Sequence, residues 1–233
     1  DAPIEEQNDD HVEDPNDHGI QREYYCCNDP QEICRTGQYT LALSRKVISD
    51  HFGRNKACTR QIKSWPLMCR KHYQRATYNN KVWQLRKLEL IVEQFDAIES
   101  QIPGTKYTVG LKKSEDERLN TFSRKLAMGK TEAEAESAVA PGASKSFEAP
   151  IKLLRELEKG LGKNKTIEEV KETVDTIEHM VHLDDTAKVP SIEFLPQIGK
   201  DGQPFTYGAP VPKARKSTKK TGSRVSKKGG IQK

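Results

Sequence analysis

Cys34, Cys58, Cys69 and His72 are the residues of this chain whose types and spacing suit metal chemistry. Twenty-three residues separate Cys34 from Cys58, ten separate Cys58 from Cys69, and two separate Cys69 from His72. Thiolate and imidazole are the usual zinc donors, and four of them close a tetrahedral shell. A Cys-x2-His pair brings both donors to one ion from a single turn of backbone, and the other cysteines close the site from the loop. All five cysteines fall between positions 26 and 69, so Cys26 and Cys27 are alternative donors. Clustered cysteines in a reducing compartment indicate metal ligation more than disulfides, and an odd count fits a disulfide framework poorly. The expected cofactor is Zn2+. Metal binding contributes about 10–16 kcal/mol of apparent free energy in small zinc peptides, enough to fold a segment with little core of its own. His51 is a further imidazole, read here as a helix residue.

The charge around these donors has one sign. Arg45, Lys46, Arg54, Lys56, Arg60, Lys63, Arg70, Lys71 and Arg75 lie between 45 and 75, with Asp50 as the one acid. Such a surface attracts phosphate backbones through counterion release. A helix from 44 to 52 is expected to end at Gly53 and to present Arg54 and Asn55, residue types that read base edges. Lys56, Arg60, Arg70, Lys71 and Arg75 are assigned to phosphate contact, and Lys63 is counted with them as nucleic-acid-binding. Trp65, Tyr73 and Tyr78 have rings that could stack on bases, although packing around the metal is the favoured account of them.

The run Cys34-Arg35-Thr36-Gly37, Cys58-Thr59-Arg60 and Cys69-Arg70-Lys71-His72-Tyr73-Gln74-Arg75 resembles the WRC-type motif of plant growth-regulating factors, with three cysteines and one histidine. That motif reads Cys-x9-Cys-x10-Cys-x2-His among basic residues. Its last two spacings match, and the first carries fourteen additional residues here. The stretch from Ser44 to Arg75 is also similar to a group of uncharacterised fungal regulatory proteins. The resemblance covers about residues 24–95. It implies a nuclear, nucleic-acid-binding role in transcription or chromatin regulation, with DNA favoured over RNA.

The elements that must position these residues follow from pattern. The chain has 233 residues, 31% of them charged and 34% hydrophobic. This polarity predicts local folded units with disordered ends. The expected fold is mainly α: a small zinc-stabilised module plus amphipathic helices. Residues 1–20 form an acidic, disordered leader. Residues 21–105 hold the Cys/His module and a trailing helix, on which Leu85, Leu88, Val92 and Phe95 share one face. That helix stops at Pro103-Gly104. Residues 106–147 are helical and linker-like, with Ser114–Glu117 and Thr131–Glu134 as capping boxes. Residues 148–185 form a helix pair: Leu154, Leu157 and Leu161 share one face, Ile167, Val170, Val174, Ile177 and Val181 another, and Thr166 caps the second helix. Residues 186–233 are expected to be disordered and basic. Lys213, Arg215, Lys216, Lys219 and Lys220 read as a nuclear-import signal.

The helices at 82–99 and 148–183 are the expected surfaces for protein partners. No apolar run has the length of a transmembrane span, so no membrane association is expected. No P-loop, GxSxG or HExxH motif is present, so the chain reads as a binding protein and not an enzyme, with no small-molecule substrate. A protein-interaction adaptor is the alternative reading.

Overall fold

The computed structural model describes residues 21–28, 34–140 and 147–208. The acidic leader at 1–20 and the import signal at 213–220 lie outside them.

The chain enters beside the metal-donor cysteines and forms a short antiparallel ribbon from β1 (Ser44–Lys46) and β2 (Leu67–Cys69). Between the two strands run single 3-10 turns at Ser49–Phe52 and Ala57–Thr59. Two helices follow, α1 (Arg70–Tyr78) and α2 (Asn80–Gln101), with the Asn79 side chain capping the second through the Val82 amide. Gly104 then turns the chain at φ 75°. Next come β3 (Tyr107–Leu111), α3 (Lys113–Ala127), α4 (Glu132–Ala138), α5 (Ile151–Glu158), β4 (Gly162–Lys165), α6 (Ile167–His182) and β5 (Ile192–Pro196). The second sheet has order β4-β3-β5, antiparallel throughout, with Val109 opposite Phe194. Helix is the largest component, yet two sheets are integral to the fold. No helix among the described residues is long and apolar enough to cross a membrane.

One hydrophobic cluster runs through most of these elements. It joins Ile48, Phe52 and Ile62 of the N-terminal segment to Leu88, Ile91 and Phe95 of α2, Leu153 and Leu157 of α5, Val170, Val174 and Ile177 of α6, and Ile192 and Phe194 of β5. Its centre is aromatic. Phe95 lies 5.2 Å from both Tyr107 and Phe194, and 5.4 Å from Phe52, all edge to face, the arrangement that ring quadrupoles favour.

This core explains how the expected helix faces turn out. The apolar stripe of α2 is a broad band, with Leu88 and Phe95 fully buried beside Leu90, Ile91 and Ile98, while Leu85 and Val92 flank it half-buried. The band is wide because α2 packs against α6 and also meets Phe52 from the N-terminal segment. On α6, Val170, Val174, Ile177 and Val181 are buried as their spacing predicts, and Leu154 and Leu157 are buried on α5. The boxes at Thr131/Glu134 and Thr166/Glu169 are both formed reciprocally. Ser114 is no cap, because α3 starts one residue before it and Lys112 holds the cap position.

Two further expectations about the backbone need correction. Residues 44–52 form a strand and a 3-10 turn, not a helix, because residues 44–46 pair with 67–69. Residues 186–208 are folded: β5 pairs along the whole of β3, and Ile192 and Phe194 are buried in the common core.

Arg118 closes the lower part of the fold. Its guanidinium donates to the Val139 carbonyl, to the Ala149 carbonyl at 2.7 Å and to Glu115 at 2.8 Å. The buried Glu115 also accepts from the Ala149 amide.

Candidate metal centre and basic cleft

Cys69 sits at the junction of β2 and α1, where it is the N-cap of the helix, and its sulfur accepts the His72 amide at 3.3 Å. His72 follows within one helical turn, which brings the ring back over the same corner. Cys26 arrives by a parallel bridge to Leu67, with the Cys27 amide donating to the Leu67 carbonyl at 2.8 Å. Its sulfur accepts the Cys69 amide at 3.3 Å and lies 3.5 Å from His72 Nδ1. Cys34 completes the group, with its sulfur 3.9 Å from that of Cys69. The donor atoms of Cys26, Cys34, Cys69 and His72 all lie within 4.8 Å of one another. These four residues are close enough to hold a metal ion. The sulfurs are free thiols, since their separation far exceeds the ~2.05 Å of a disulfide.

The surrounding contacts fix this corner. The Thr36 hydroxyl lies 3.2 Å from the Cys34 sulfur and 3.3 Å from that of Cys69. The Tyr24 hydroxyl donates to the Gln38 carbonyl, while Gln38 Oε1 accepts the Lys71 amide and Lys71 Nζ donates to the Thr36 carbonyl. Arg22 donates to the Cys34 carbonyl and stacks over Tyr39. Burial pushes the Cys26 thiol up to about 12, against the lowering effect of the Cys69 and Asn28 amides. For Cys34, burial acts upward but is outweighed by hydrogen bonds from Thr36 and from Cys69 and Cys26, and the net shift is downward. Burial, then the neighbouring sulfurs, holds the Tyr24 phenol far above its ordinary range. Sulfurs crowded in this way oppose one another's ionisation, and a cation among them relieves the conflict.

Cys34, Cys69 and His72 are thus brought together as their spacing indicates, and Cys26 takes the place assigned to Cys58. Cys58 lies in the Ala57–Thr59 turn, half-buried beside β5, where burial raises its thiol. The segment leaving it is anchored in the main core by Ile62 and by Trp65, whose ring meets Phe52 at 5.9 Å, and this carries Cys58 away from the metal corner. Cys27 packs against the main core, and burial pushes its thiol up to about 11. Adjacent residues of extended chain face opposite sides, so Cys26 and Cys27 serve different places. His51 is also remote from the centre. Its Nδ1–H donates to the Ile192 carbonyl at 3.0 Å.

Beside the metal corner lies a cleft of about 510 Å³. Its walls include Arg45, Lys46, Arg54, Asn55 and Arg60, with Trp65 and Tyr73 as its aromatic part and Asp50 as its acid. Arg45 lies over the Tyr73 ring at 5.1 Å and Lys46 over Trp65 at 5.4 Å. Arg54 pairs with Asp50 at 3.0 Å. Asn55 has φ 66°, in the left-handed region that Asn tolerates. Gly53 before it has φ 68°, and a Cβ there would fall 2.5 Å from Leu195 Cδ2, so this turn rests directly on β5.

The other assigned cations have different surroundings. Lys56 is ion-paired with Glu193 at 2.6 Å. Arg70 donates to the Ala42 carbonyl and Lys71 to that of Thr36. Lys63 and Arg75 are exposed outside the cleft. Arg45 and Lys46 are cleft residues that sequence reasoning counted only as charge; their alternation with Ser44 across from Cys69 was hidden by the helical reading of 44–52. Compared with protein-family models, with curated proteins and with solved structures, the chain matches none of them.

Proposed function

We propose that the four-donor centre binds Zn2+ as a structural ion and that the module it stabilises binds nucleic acid through the basic cleft. Zinc bonds of ~2.3 Å to sulfur and ~2.0 Å to nitrogen in a tetrahedron require S···S of ~3.8 Å and S···N of ~3.5 Å. The Cys34–Cys69 and Cys26–His72 separations are 3.9 and 3.5 Å. Three sulfurs and one imidazole fill the shell, which suits a structural ion more than a hydrolytic one with an open position.

The observation that carries the reading is shared backbone. Ser44 pairs with Cys69 across the ribbon, so Arg45 and Lys46 follow directly beside a donor. Tyr73 follows His72 in the same helical turn. An ion holding Cys69 and His72 would therefore set the positions of the cleft residues Arg45 and Lys46 on β1 and Tyr73 on α1. In this reading Arg54, Asn55 and Arg60 meet the polyanion from the facing turn, and the chain acts in the nucleus in transcription or chromatin regulation, with its basic C-terminal residues as the import signal. Binding that weakens steeply with salt and disappears on chelation, measured by fluorescence anisotropy on the full chain, is the expected result. Binding unchanged by chelation overturns it.

A protein-interaction adaptor is the second reading, favoured by a different hollow of about 420 Å³ between α1 and α2. Met68, Ala76, Val82, Trp83 and Leu85 line it, and Val82 is 60% exposed. Failure of the chain to bind DNA or RNA at any salt concentration, with metal bound, selects this reading.

A further inference from the structure

We infer that the cleft accepts an unpaired nucleotide, so that the polymer recognised is single-stranded. The inference rests on the nucleic-acid reading of the cleft and specifies its ligand. Trp65 and Tyr73 are the grounds for it. Both rings are cleft lining, and each has a cation over it, Lys46 on Trp65 and Arg45 on Tyr73. A duplex keeps the faces of its bases stacked inside and offers a protein only base edges and phosphates. Recessed aromatic faces gain nothing from such a ligand. An unpaired base offers its face, and stacking on a ring is tolerant of base identity.

Size and charge agree. A cavity of about 510 Å³ is in the range that encloses a small molecule, and a nucleotide is one. Arg45, Lys46, Arg54 and Arg60 surround it, against Asp50 alone. A base that displaces Lys46 or Arg45 from its ring leaves that cation beside the phosphate of the same nucleotide. The exchange favours the ligand, since base stacking outweighs an exposed cation–π contact. The indole N–H is already satisfied by the Ile62 carbonyl at 3.1 Å, so the Trp65 ring is held in place and needs no polar partner from the ligand. Tyr73 is braced from behind by Trp83, edge to face at 5.7 Å.

The test uses the full chain with zinc bound and three labelled probes of equal length: oligothymidine, oligouridine and a DNA duplex. Anisotropy at fixed salt is expected to show both single strands bound more tightly than the duplex, by roughly tenfold or more. Trp65→Ala is expected to weaken single-strand binding by roughly 5- to 150-fold, the range for one stacked base, and to leave duplex binding unchanged. Trp65→Phe keeps a ring against Phe52 and retains affinity, but loses the tryptophan quenching seen on titration with oligothymidine. This variant separates a lost stack from a lost fold. Equal or tighter duplex binding, or single-strand binding indifferent to Trp65→Ala, overturns the inference while the nucleic-acid reading stands. Absence of binding to all three probes overturns both.

Discussion

Cys26 and Cys69 are forty-three positions apart, yet the Cys69 amide donates to the Cys26 sulfur at 3.3 Å. That contact joins the two ends of the metal corner. Cys26→Ala is expected to abolish stoichiometric metal binding and to cost several kcal/mol of stability in the presence of zinc. Cys58→Ala is expected to retain one ion per chain and to cost about 1 kcal/mol or less. Metal content and thermal unfolding of the two variants compare them directly; loss of the ion from Cys58→Ala alone would reverse the assignment.

His51 should make the fold sensitive to mild acid. Burial, with Lys87 nearby, lowers its pKa to about 4, although the Ile192 carbonyl acts the other way. The unfolded chain takes up this proton near 6.5 and the folded chain resists it. Stability is therefore full above pH 6.5 and falls as pH drops toward 4. The loss is at most about 3 kcal/mol, a ceiling because the residue retains some solvent contact. His51→Asn supplies an amide N–H for the same carbonyl without titrating, so its urea midpoint should vary less across that window.

Lys87 is a destabilising charge at neutral pH. Burial and then Lys188 lower its pKa to about 8, with Asp50 acting in the opposite sense. Between 8 and 10.5 the unfolded chain holds a proton that the folded chain has lost, so this residue makes stability rise with pH through that interval. Lys87→Met removes the penalty and gives up a bond to Gln84 and the ammonium's place over the Trp83 ring. It is expected to gain about 1 kcal/mol at pH 7. That gain should shrink as pH rises through 8 to 10.5; an advantage constant across that range would mean that packing, not charge, is responsible.

Arg118→Met should damage the fold strongly. It leaves Glu115 as a buried charge, 1% exposed, and removes donors from the Val139 and Ala149 carbonyls. The expected cost is about 3–5 kcal/mol. Adding Glu115→Gln to the same chain should recover part of it, which a double-mutant cycle in urea would read as a coupling.

What was legible in the sequence was local. The Thr131/Glu134 and Thr166/Glu169 boxes, the Cys69–His72 pair and the buried face of α6 each depend on residues within a turn or two, where spacing determines geometry. What was illegible was long-range. Nothing near Cys26 shows that it bridges to Leu67, and the choice among Cys26, Cys27 and Cys58 depends on that bridge. Ile48 and Phe52 have helical spacing, but strand pairing of 44–46 and the left-handed Gly53 prevail. The strand β5 alternates as Ile192, Phe194 and Pro196 inward, a pattern too short to stand out among prolines and glycines until β3 pairs with it. The charge of the cleft was visible throughout; the two rings that define it depend on where Phe52 and Trp83 hold Trp65 and Tyr73.

Because one guanidinium grips the carbonyls of both Val139 and Ala149, the point where the backbone leaves α4 is tied to the point from which it enters α5. Chain closure costs little extra as a connection lengthens, about 0.6 kcal/mol per doubling. A graft or reporter spliced between 140 and 147 would thus be carried by an anchor already built on α3.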